Sequence, residues 1–313
     1  MRSEERKLEL GEGVRVHLRS WHPDDSGVKA VVQIVHGMAE HAGRYAPVAA
    51  ALVAAGYAVY AHDLRGHGLS AAEPDELGFF AERDGWKHML RDIHRVGELA
   101  REENPGASRC LLGHSLGSLL AQSYLLEHAS SLDALILSST TIGGGPLIQA
   151  GRGVARLERL LHGPRARSAL LEFLSFSSYN KGFSPARTEA DWLSRDPAQV
   201  DLYIGDPLCG FRSTNQLWVD LFDAMAALGS ARLEHVPKDL PIYFFSGSLD
   251  PLSAQTRGLI KLLKKYEAAG FSRVTHRIYP EARHECLNEL NRQEVYADLV
   301  QWLGDNVANA ERR

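Results

Sequence analysis

The chain has 313 residues, which is enough for one large domain or for a domain with a sizeable insertion. Hydrophobic residues make up 44% of it and charged residues 24%, as in an ordinary soluble globular protein. Its net charge of −4 and its isoelectric point near 6.4 disfavour nucleic-acid binding, because they give no basic footprint.

The N-terminal residues are charged and lack the apolar core of a signal peptide. The longest apolar stretch, residues 48–61, is too short to span a membrane and is interrupted by Gly56. Cys110, Cys209 and Cys286 are odd in number and widely spaced, which argues against a disulfide framework. We therefore expect a cytoplasmic protein, with Cys110 as a small core residue.

The first half of the chain alternates predicted strands and helices. Residues 14–21 alternate apolar and polar side chains, which is typical of a strand at a sheet edge. Residues 30–35 form a nearly continuous apolar run, which indicates a strand buried on both faces. Further strands are predicted over 57–61, 109–112 and 132–137, and helices over 45–55, 85–103 and 116–127.

The alternation stops at the G-G-G-P sequence of residues 143–146. Residues 147–236 contain predicted helical stretches, such as 149–161 and 215–228, and no predicted buried strand. The alternation then resumes, with strands over 242–246 and 273–278 and helices over 254–266 and 293–303.

This pattern predicts an α/β protein with a mostly parallel sheet and helices on both faces. We expect residues 1–142 and 237–313 to form the core and residues 143–236 to form a helical cap over the strand ends. A separate helical domain is the alternative. The short tail at residues 310–313 is expected to be solvated.

A G-x-S-x-G sequence at residues 113–117 lies between a predicted strand and a predicted helix. Five residues of this kind also arise by chance, so the surroundings decide what they mean. In a strand–turn–helix context the motif is the nucleophile elbow of an α/β-hydrolase, which holds a serine hydroxyl clear of the backbone. We therefore predict that Ser115 is the nucleophile.

A serine nucleophile needs a base and a group that orients the base, and in this fold both follow the serine along the chain. Asp250 comes just after the predicted strand 242–246, whereas residues 138–141, at another suitable strand end, offer no carboxylate. Only His276 and His284 lie beyond Asp250. His276 falls within a predicted strand, whereas His284 lies in a loop. We predict Asp250 as the orienting acid and His284 as the general base.

The negative charge that develops on the substrate oxygen requires hydrogen-bond donors. One donor is the N–H of the residue after the nucleophile, here Leu116. The other comes from the loop after the strand 30–35, where His36-Gly37 opens the loop and Met38 supplies the N–H. The alternative is that Gly37 only ends the strand.

Other reactive side chains receive no catalytic role. Cys286 is a candidate catalytic thiol, but no elbow-like turn surrounds it. His36, Glu40 and His41 do not form a metal-binding motif, and neither a metal nor a cofactor is expected. His67 precedes the nucleophile and His114 lies beside it, so both are predicted to be structural.

Five segments resemble the monoacylglycerol lipase and lysophospholipase branch of the α/β-hydrolases, which is often grouped with the serine aminopeptidase-like hydrolases. They are residues 36–45 (HGMAEHAGRY), 63–70 (DLRGHGLS), 113–117 (GHSLG), 247–250 (GSLD) and 283–285 (RHE). The resemblance extends from about residue 21 to residue 303. It implies a Ser115–Asp250–His284 triad, an oxyanion hole at Met38 and Leu116, and a cap that receives an acyl chain.

Two features of the resemblance concern the cap and the substrate site. Residues 194–197 (SRDP) and 206–208 (DPL) resemble cap segments of that branch and are interpreted as packing elements. The second oxyanion-hole residue is small in the best-known lipases of the branch, whereas Met38 is bulky and flexible. Met38 keeps its N–H donor but alters the shape of the acyl or alcohol site.

We expect an enzyme that hydrolyses carboxylic esters, with monoacylglycerols or lysophospholipids as substrates. A small-ester carboxylesterase and a short-peptide aminopeptidase are the enzymatic alternatives, and a non-catalytic lipid-binding scaffold is the alternative of another class. Transient membrane or micelle contact through the cap is considered, as is an ordinary solvated face. The residues concerned are Arg152, Arg156, Arg165 and Arg167 with apolar neighbours between Leu147 and Leu174.

Overall fold

An eight-stranded sheet organises the computed structural model, which describes residues 1–11, 13–24 and 27–307. In spatial order its strands are β1 (Arg2–Glu9), β2 (Arg15–His22), β4 (Ala58–His62), β3 (Ala30–Val35), β5 (Ser108–His114), β6 (Ala134–Ser138), β7 (Ile242–Gly247) and β8 (Val274–Tyr279). β2 is antiparallel to both of its neighbours, whereas every pair from β4 to β8 is parallel.

Helices cover both faces of this sheet, because its central strands are apolar on both sides. In β5, Cys110 and Leu112 face one core while Leu111 faces the other, as successive residues of a strand must. α1 (Ala46–Ala54) and α9 (Arg292–Asn306) share the core of Cys110. α2 (Gly85–Glu103), α3 (Leu116–His128) and α8 (Arg257–Ala268) share the core of Leu111. The predicted layered α/β architecture is confirmed.

Between β6 and β7 the chain forms four helices: α4 (Pro146–His162), α5 (Ala169–Phe176), α6 (Pro197–Gly205) and α7 (Asn215–Ser230). We call residues 143–236 the helical segment. All of its residues are described, and none belongs to a strand. α4 packs against α7, which in turn contacts α2 and α3. The segment is thereby held against the helices of the core.

The structure corrects the predictions at several elements. β1 was not predicted, because six of its eight residues are charged and its sequence shows no apolar alternation. Residues 14–21 do form most of a strand, β2, but β2 pairs with β1 on one side and β4 on the other, so its predicted place at the edge of the sheet is wrong. The short helices α5 and α6 were also not predicted. α8 begins at Arg257 rather than at residue 254, because residues 254–256 adopt positive φ angles.

Cys110 is fully buried, as predicted for a core residue. The tail at residues 310–313 lies outside the described residues. Among those that are described, no helix combines the length and the apolar character that crossing a membrane requires.

Candidate active site

Ser115 stands between the last residue of β5 and the first residue of α3. Its backbone has φ 54° and ψ −118°, a conformation that is strained for a residue with a side chain. The flanking glycines make this turn feasible. A Cβ on Gly113 would lie 2.3 Å from the carbonyl oxygen of Gly117, and one on Gly117 would lie 2.1 Å from that of Val35. The turn therefore accepts no side chain at either glycine position.

The structure brings Ser115, His284 and Asp250 together from three separate parts of the chain. Ser115 Oγ lies 2.9 Å from His284 Nε2, and His284 Nδ1 lies 2.8 Å from Asp250 Oδ1. Asp250 follows β7, and His284 lies in the loop between β8 and α9. Ser115 is 135 positions before Asp250 and 169 positions before His284. The three residues meet because parallel strands end at the same edge of a sheet. His276, the other histidine beyond Asp250, is exposed on β8.

The Asp250 carboxylate is fully buried and fixed in orientation. Its Oδ1 also accepts the N–H of Leu252 at 3.0 Å, and its Oδ2 accepts the hydroxyl of Ser246 at 3.1 Å. Because a carboxylate only accepts, His284 donates its Nδ1–H to Asp250, which leaves the Nε2 lone pair for the hydroxyl of Ser115.

Two opposing effects set the pKa of His284. Burial favours the neutral ring, but the charge and hydrogen bond of Asp250 outweigh it and raise the pKa above the ordinary value of 6.5. The imidazole is thus poised to accept a proton from Ser115 and to hold it as an imidazolium.

The loop after β3 lies directly against Ser115. A Cβ on Gly37 would approach the Ser115 Cβ to 3.3 Å, so Met38, the next residue, is beside Ser115. The N–H of Met38 donates to no acceptor among the described residues. Leu116 is the first residue of α3, so its N–H has no intrahelical acceptor. The two backbone N–H groups predicted from the sequence therefore lie next to Ser115 without an acceptor among the described residues.

The Met38 loop is held in shape by buried polar side chains. His36 Nδ1 lies 2.8 Å from the carbonyl oxygen of Gly37, and His36 Nε2 accepts the N–H of Leu64 at 2.9 Å. Glu40 Oε1 accepts the N–H of Gly37 at 2.5 Å and the hydroxyl of Tyr45 at 2.8 Å. Fixed donors of this kind need no reorganisation when charge develops.

A buried arginine links this loop to the histidine loop. Arg44 Nη1 contacts Glu40 Oε2 at 2.8 Å, and its two Nη atoms bind the two carboxylate oxygens of Glu285 at 2.6 and 2.7 Å. Burial alone would raise the pKa of Glu285, but Arg44 lowers it, so this neighbour of His284 stays ionised. Neither Arg44 nor Glu285 was predicted as a site residue, although both occur in the segments that carry the family resemblance.

A second serine fixes the histidine backbone. Ser139, just after β6, has φ 49° and donates its hydroxyl to the carbonyl oxygen of His284. Residues 138–141, at this strand end, offer no carboxylate. What they contribute to the site is a hydrogen-bond donor, which a pattern of acidic residues does not reveal.

His114 and His67 remain outside the hydrogen-bonded chain of Ser115. Burial lowers the pKa of His114 to about 3 and that of His67 to about 4, so both are neutral at neutral pH. His114 Nδ1 is 3.1 Å from Ser138 Oγ, and its ring lies 5.0 Å from that of His284. His67 Nδ1 is 3.0 Å from the carbonyl oxygen of Arg65. These contacts fit the predicted structural roles.

Cys286 and His41 do not offer alternative chemistry. Burial raises the pKa of the Cys286 thiol well above its ordinary value, which suppresses the nucleophilic thiolate. His41 lies with Asp206 and Cys209 in a group that resembles a metal-binding set. However, His41 Nδ1 accepts the N–H of Gly43, so the proton is on Nε2, which donates to Asp206 at 2.8 Å. That nitrogen has no free lone pair for a metal ion.

The sequence of the chain matches a family of known proteins. The chain matches the family described as "Serine aminopeptidase, S33" over residues 26–291. It is 29% identical over 294 residues to a monoacylglycerol lipase of Mycolicibacterium smegmatis, covering 93% of each chain. It is 28% identical over 291 residues to a monoglyceride lipase of Mus musculus, covering 90% of this chain and 86% of the relative.

A solved structure supports the same fold. A highly thermostable carboxyl esterase from Bacillus coagulans, in complex with glycerol, superimposes with a TM-score of 0.87 at 24% sequence identity. The match covers 98% of this chain and 99% of the esterase. At this identity the likeness establishes the fold alone.

Proposed function

The chain belongs to the serine aminopeptidase S33 family, in its monoacylglycerol lipase-like branch of the α/β-hydrolases, and from that premise we propose that it hydrolyses monoacylglycerols or lysophospholipids through an acyl-enzyme on Ser115. It is a serine ester hydrolase. The observation that carries the mechanism is the hydrogen-bonded chain from Ser115 Oγ through His284 to Asp250.

The reaction proceeds in two halves. His284 Nε2 takes the proton of Ser115 as Oγ attacks the ester carbonyl carbon, and Asp250 stabilises the imidazolium that forms. The N–H groups of Met38 and Leu116 bind the oxyanion of the tetrahedral intermediate. His284 then protonates the leaving alcohol. Water, activated by the same imidazole, cleaves the acyl-enzyme and releases the fatty acid.

The surroundings of His284 support an apolar acyl group. The ring of Trp192, from the helical segment, lies 5.0 Å from that of His284, and the ring of Tyr179 lies 4.9 Å from that of Trp192. Farther from His284, the ring of Phe176 lies 5.9 Å from that of Trp218. Since these rings come from residues 143–236, we propose that the helical segment is the cap that receives the acyl chain.

The peptidase alternative requires a free carboxylate to bind the amino terminus of a peptide. Glu40 and Glu285, which lie beside the site, are both bound by Arg44. The charged amino terminus of a peptide would have to break these ion pairs in order to bind either carboxylate. The site therefore favours an uncharged ester substrate over a peptide. A small-ester carboxylesterase is the remaining alternative, and it differs only in the length of the acyl chain.

We also propose that the helical segment contacts membranes or micelles. Leu147 and Leu160 on α4 are 83% and 79% exposed, and Phe173 on α5 is 66% exposed. Arg152 and Arg156, on the same helix as the two leucines, share the single carboxylate of Asp223, so this part of α4 keeps a net positive charge that anionic lipids attract. Three unpaired thiols fit a reducing compartment, so we propose a cytoplasmic enzyme that visits membrane surfaces transiently.

A fluorophosphonate probe tests the mechanism, because it reacts covalently with an activated serine. We expect the wild-type protein and the control Ser230→Ala, at an exposed serine of α7, to be labelled, and Ser115→Ala to remain unlabelled and inactive. Equal labelling of Ser115→Ala and wild type would exclude Ser115 as the nucleophile.

A substrate panel tests the specificity. It comprises monoacylglycerols, lysophospholipids, short p-nitrophenyl esters and aminoacyl amides. We expect the highest kcat/KM on the long-chain lipid esters. A preference for short esters would identify a carboxylesterase, and a preference for amides would overturn the lipase assignment.

A further inference from the structure

The helical segment is bonded directly to the loop that carries His284. The N–H of His284 donates to the carbonyl oxygen of Trp192 at 3.3 Å, and the N–H of Glu285 donates to that of Leu193 at 2.7 Å. The backbone of the helical segment thus runs beside the histidine loop and pairs with it at His284 itself.

Glu289 joins the helical segment to the histidine loop just beyond this pairing. Its side chain is fully buried and accepts four N–H groups. Oε1 accepts the backbone N–H of Arg195 at 3.1 Å and that of Arg283 at 2.9 Å, while Oε2 accepts Arg195 Nε at 2.9 Å and the N–H of Leu290 at 3.0 Å. One carboxylate therefore joins Arg195 of the helical segment to the residue directly before His284.

Further contacts surround this carboxylate on both sides. Ser194 Oγ donates to the carbonyl oxygen of Asn288 at 2.9 Å, and Arg292 binds Asp196 at 2.8 Å. Arg195 Nη2 donates to Asn291 Oδ1 at 2.9 Å. All three residues from the helical segment belong to the S-R-D-P sequence at 194–197, whose pattern by itself indicates no more than packing.

We propose that Arg195 and Glu289 are positioning residues for the reaction, which hold the His284 loop in register with Ser115 and Asp250. The inference rests on the proposed triad. Arg195 forms an ion pair with the fully buried carboxylate of Glu289, and removing one partner of a buried ion pair leaves the other charge uncompensated. A displacement of His284 of about 1 Å is enough to reduce the rate about 100-fold.

The experiment compares Arg195→Gln, Arg195→Lys and wild type on a short p-nitrophenyl ester, whose binding needs little of the cap. For Arg195→Gln we expect kcat to fall about 10- to 100-fold with KM within about 2-fold of wild type, because the catalytic base and not the binding site is displaced. The far-downfield NMR resonance of the His284 Nδ1–H should shift or broaden. Arg195→Lys, which keeps the charge, should recover part of kcat.

Arg187→Gln is the matched control. Arg187 also lies in the helical segment and binds an acid, Asp201, at 2.6 Å, but both side chains are about half exposed and the pair does not touch the histidine loop. Its kcat and NMR resonance should equal those of wild type.

The outcomes separate this inference from the proposed function. If the wild type itself fails to react with a fluorophosphonate, the triad is wrong. If it reacts and folded Arg195→Gln keeps the wild-type kcat and resonance, only the positioning role is overturned. If Arg195→Gln does not fold, Ser194→Ala, which removes one hydrogen bond to the same loop, decides: a smaller loss of kcat with a shifted resonance supports the proposal, and unchanged values overturn it.

Discussion

At the scale of single residues, the backbone conformation at Ser115 is as important to the site as the chemistry of its hydroxyl. A positive φ at a serine costs about 1–3 kcal/mol, which the surrounding packing has to supply. The close approach of Gly113 to Gly117, and of Gly117 to Val35, shows where that packing comes from. The turn at Ser115 is thus rigid, and it requires glycine at positions 113 and 117 because any side chain there would clash with the backbone.

Gly117→Ala tests this rigidity. The added Cβ would lie 2.1 Å from the carbonyl oxygen of Val35, so we expect a loss of about 3 kcal/mol in the free energy of unfolding, measured by urea denaturation. Gly153→Ala is the control, because a Cβ there meets no atom within 4 Å and alanine favours the helix α4 by about 0.5–1 kcal/mol. Equal stability of the two variants would contradict the steric argument.

The raised pKa of His284 predicts the pH dependence of activity. Only the neutral imidazole accepts a proton, so kcat/KM should fall as the pH drops through that raised pKa, above 6.5. The contribution of His284 to the stability of the fold has the opposite pH dependence. It is fully present below the unfolded-state pKa of about 6.5, and it is lost as the pH rises through the raised folded-state pKa.

Asp250→Asn separates the two effects that act on His284. Without the carboxylate the effect of burial remains, so the acidic limb of the pH–rate profile should move to lower pH. The plateau of kcat should fall about 10⁴-fold, since the imidazolium loses its partner and the ring its orientation. An acidic limb that stays in place would show that another group titrates there.

At the scale of elements, α4 and α5 differ from the helices of the core. α2 buries its apolar residues against the sheet, as Met89 and Ile93 show, whereas α4 buries Ala155 and exposes Leu147 and Leu160. An apolar face without a protein partner is characteristic of a helix that lies on a lipid surface. The exposed leucines of α4 are therefore consistent with the lipid contact that we propose for the helical segment.

The double variant Leu147→Glu, Leu160→Glu tests contact with lipid. Each leucine buried in lipid contributes up to about 1.5–3 kcal/mol, so we expect at least a 10-fold loss in sedimentation with lipid vesicles and in the rate on vesicle-borne monoacylglycerol. The rate on a soluble short ester should not change. Ile260→Glu, on the exposed side of α8 in the core, is the control and should bind vesicles as wild type does. Equal vesicle binding by the double variant would refute the contact.

At the scale of the whole molecule, the sequence predicted those features that depend on short local patterns. Ser115 and Asp250 were predicted from strand ends and their order along the chain, and His284 from its place in a loop after the last strand; the structure brings these three side chains together. Arg44 and Glu285 are 241 residues apart, and neither shows its partner in the local sequence. β1 escaped prediction because its pairing with β2, and not its own composition, makes it a strand.

The two outer strands of the sheet have a consequence for the behaviour of the protein at high concentration. β1 carries charge on six of its eight residues, and β8 exposes Thr275, His276 and Arg277. An incoming strand from another molecule would have to desolvate these groups in order to pair. Between these outer strands lie fully buried strands such as β7. Its Ile-Tyr-Phe-Phe sequence is of the kind that assembles into amyloid when it is exposed. The polar borders therefore protect the sheet against aggregation in a crowded cell.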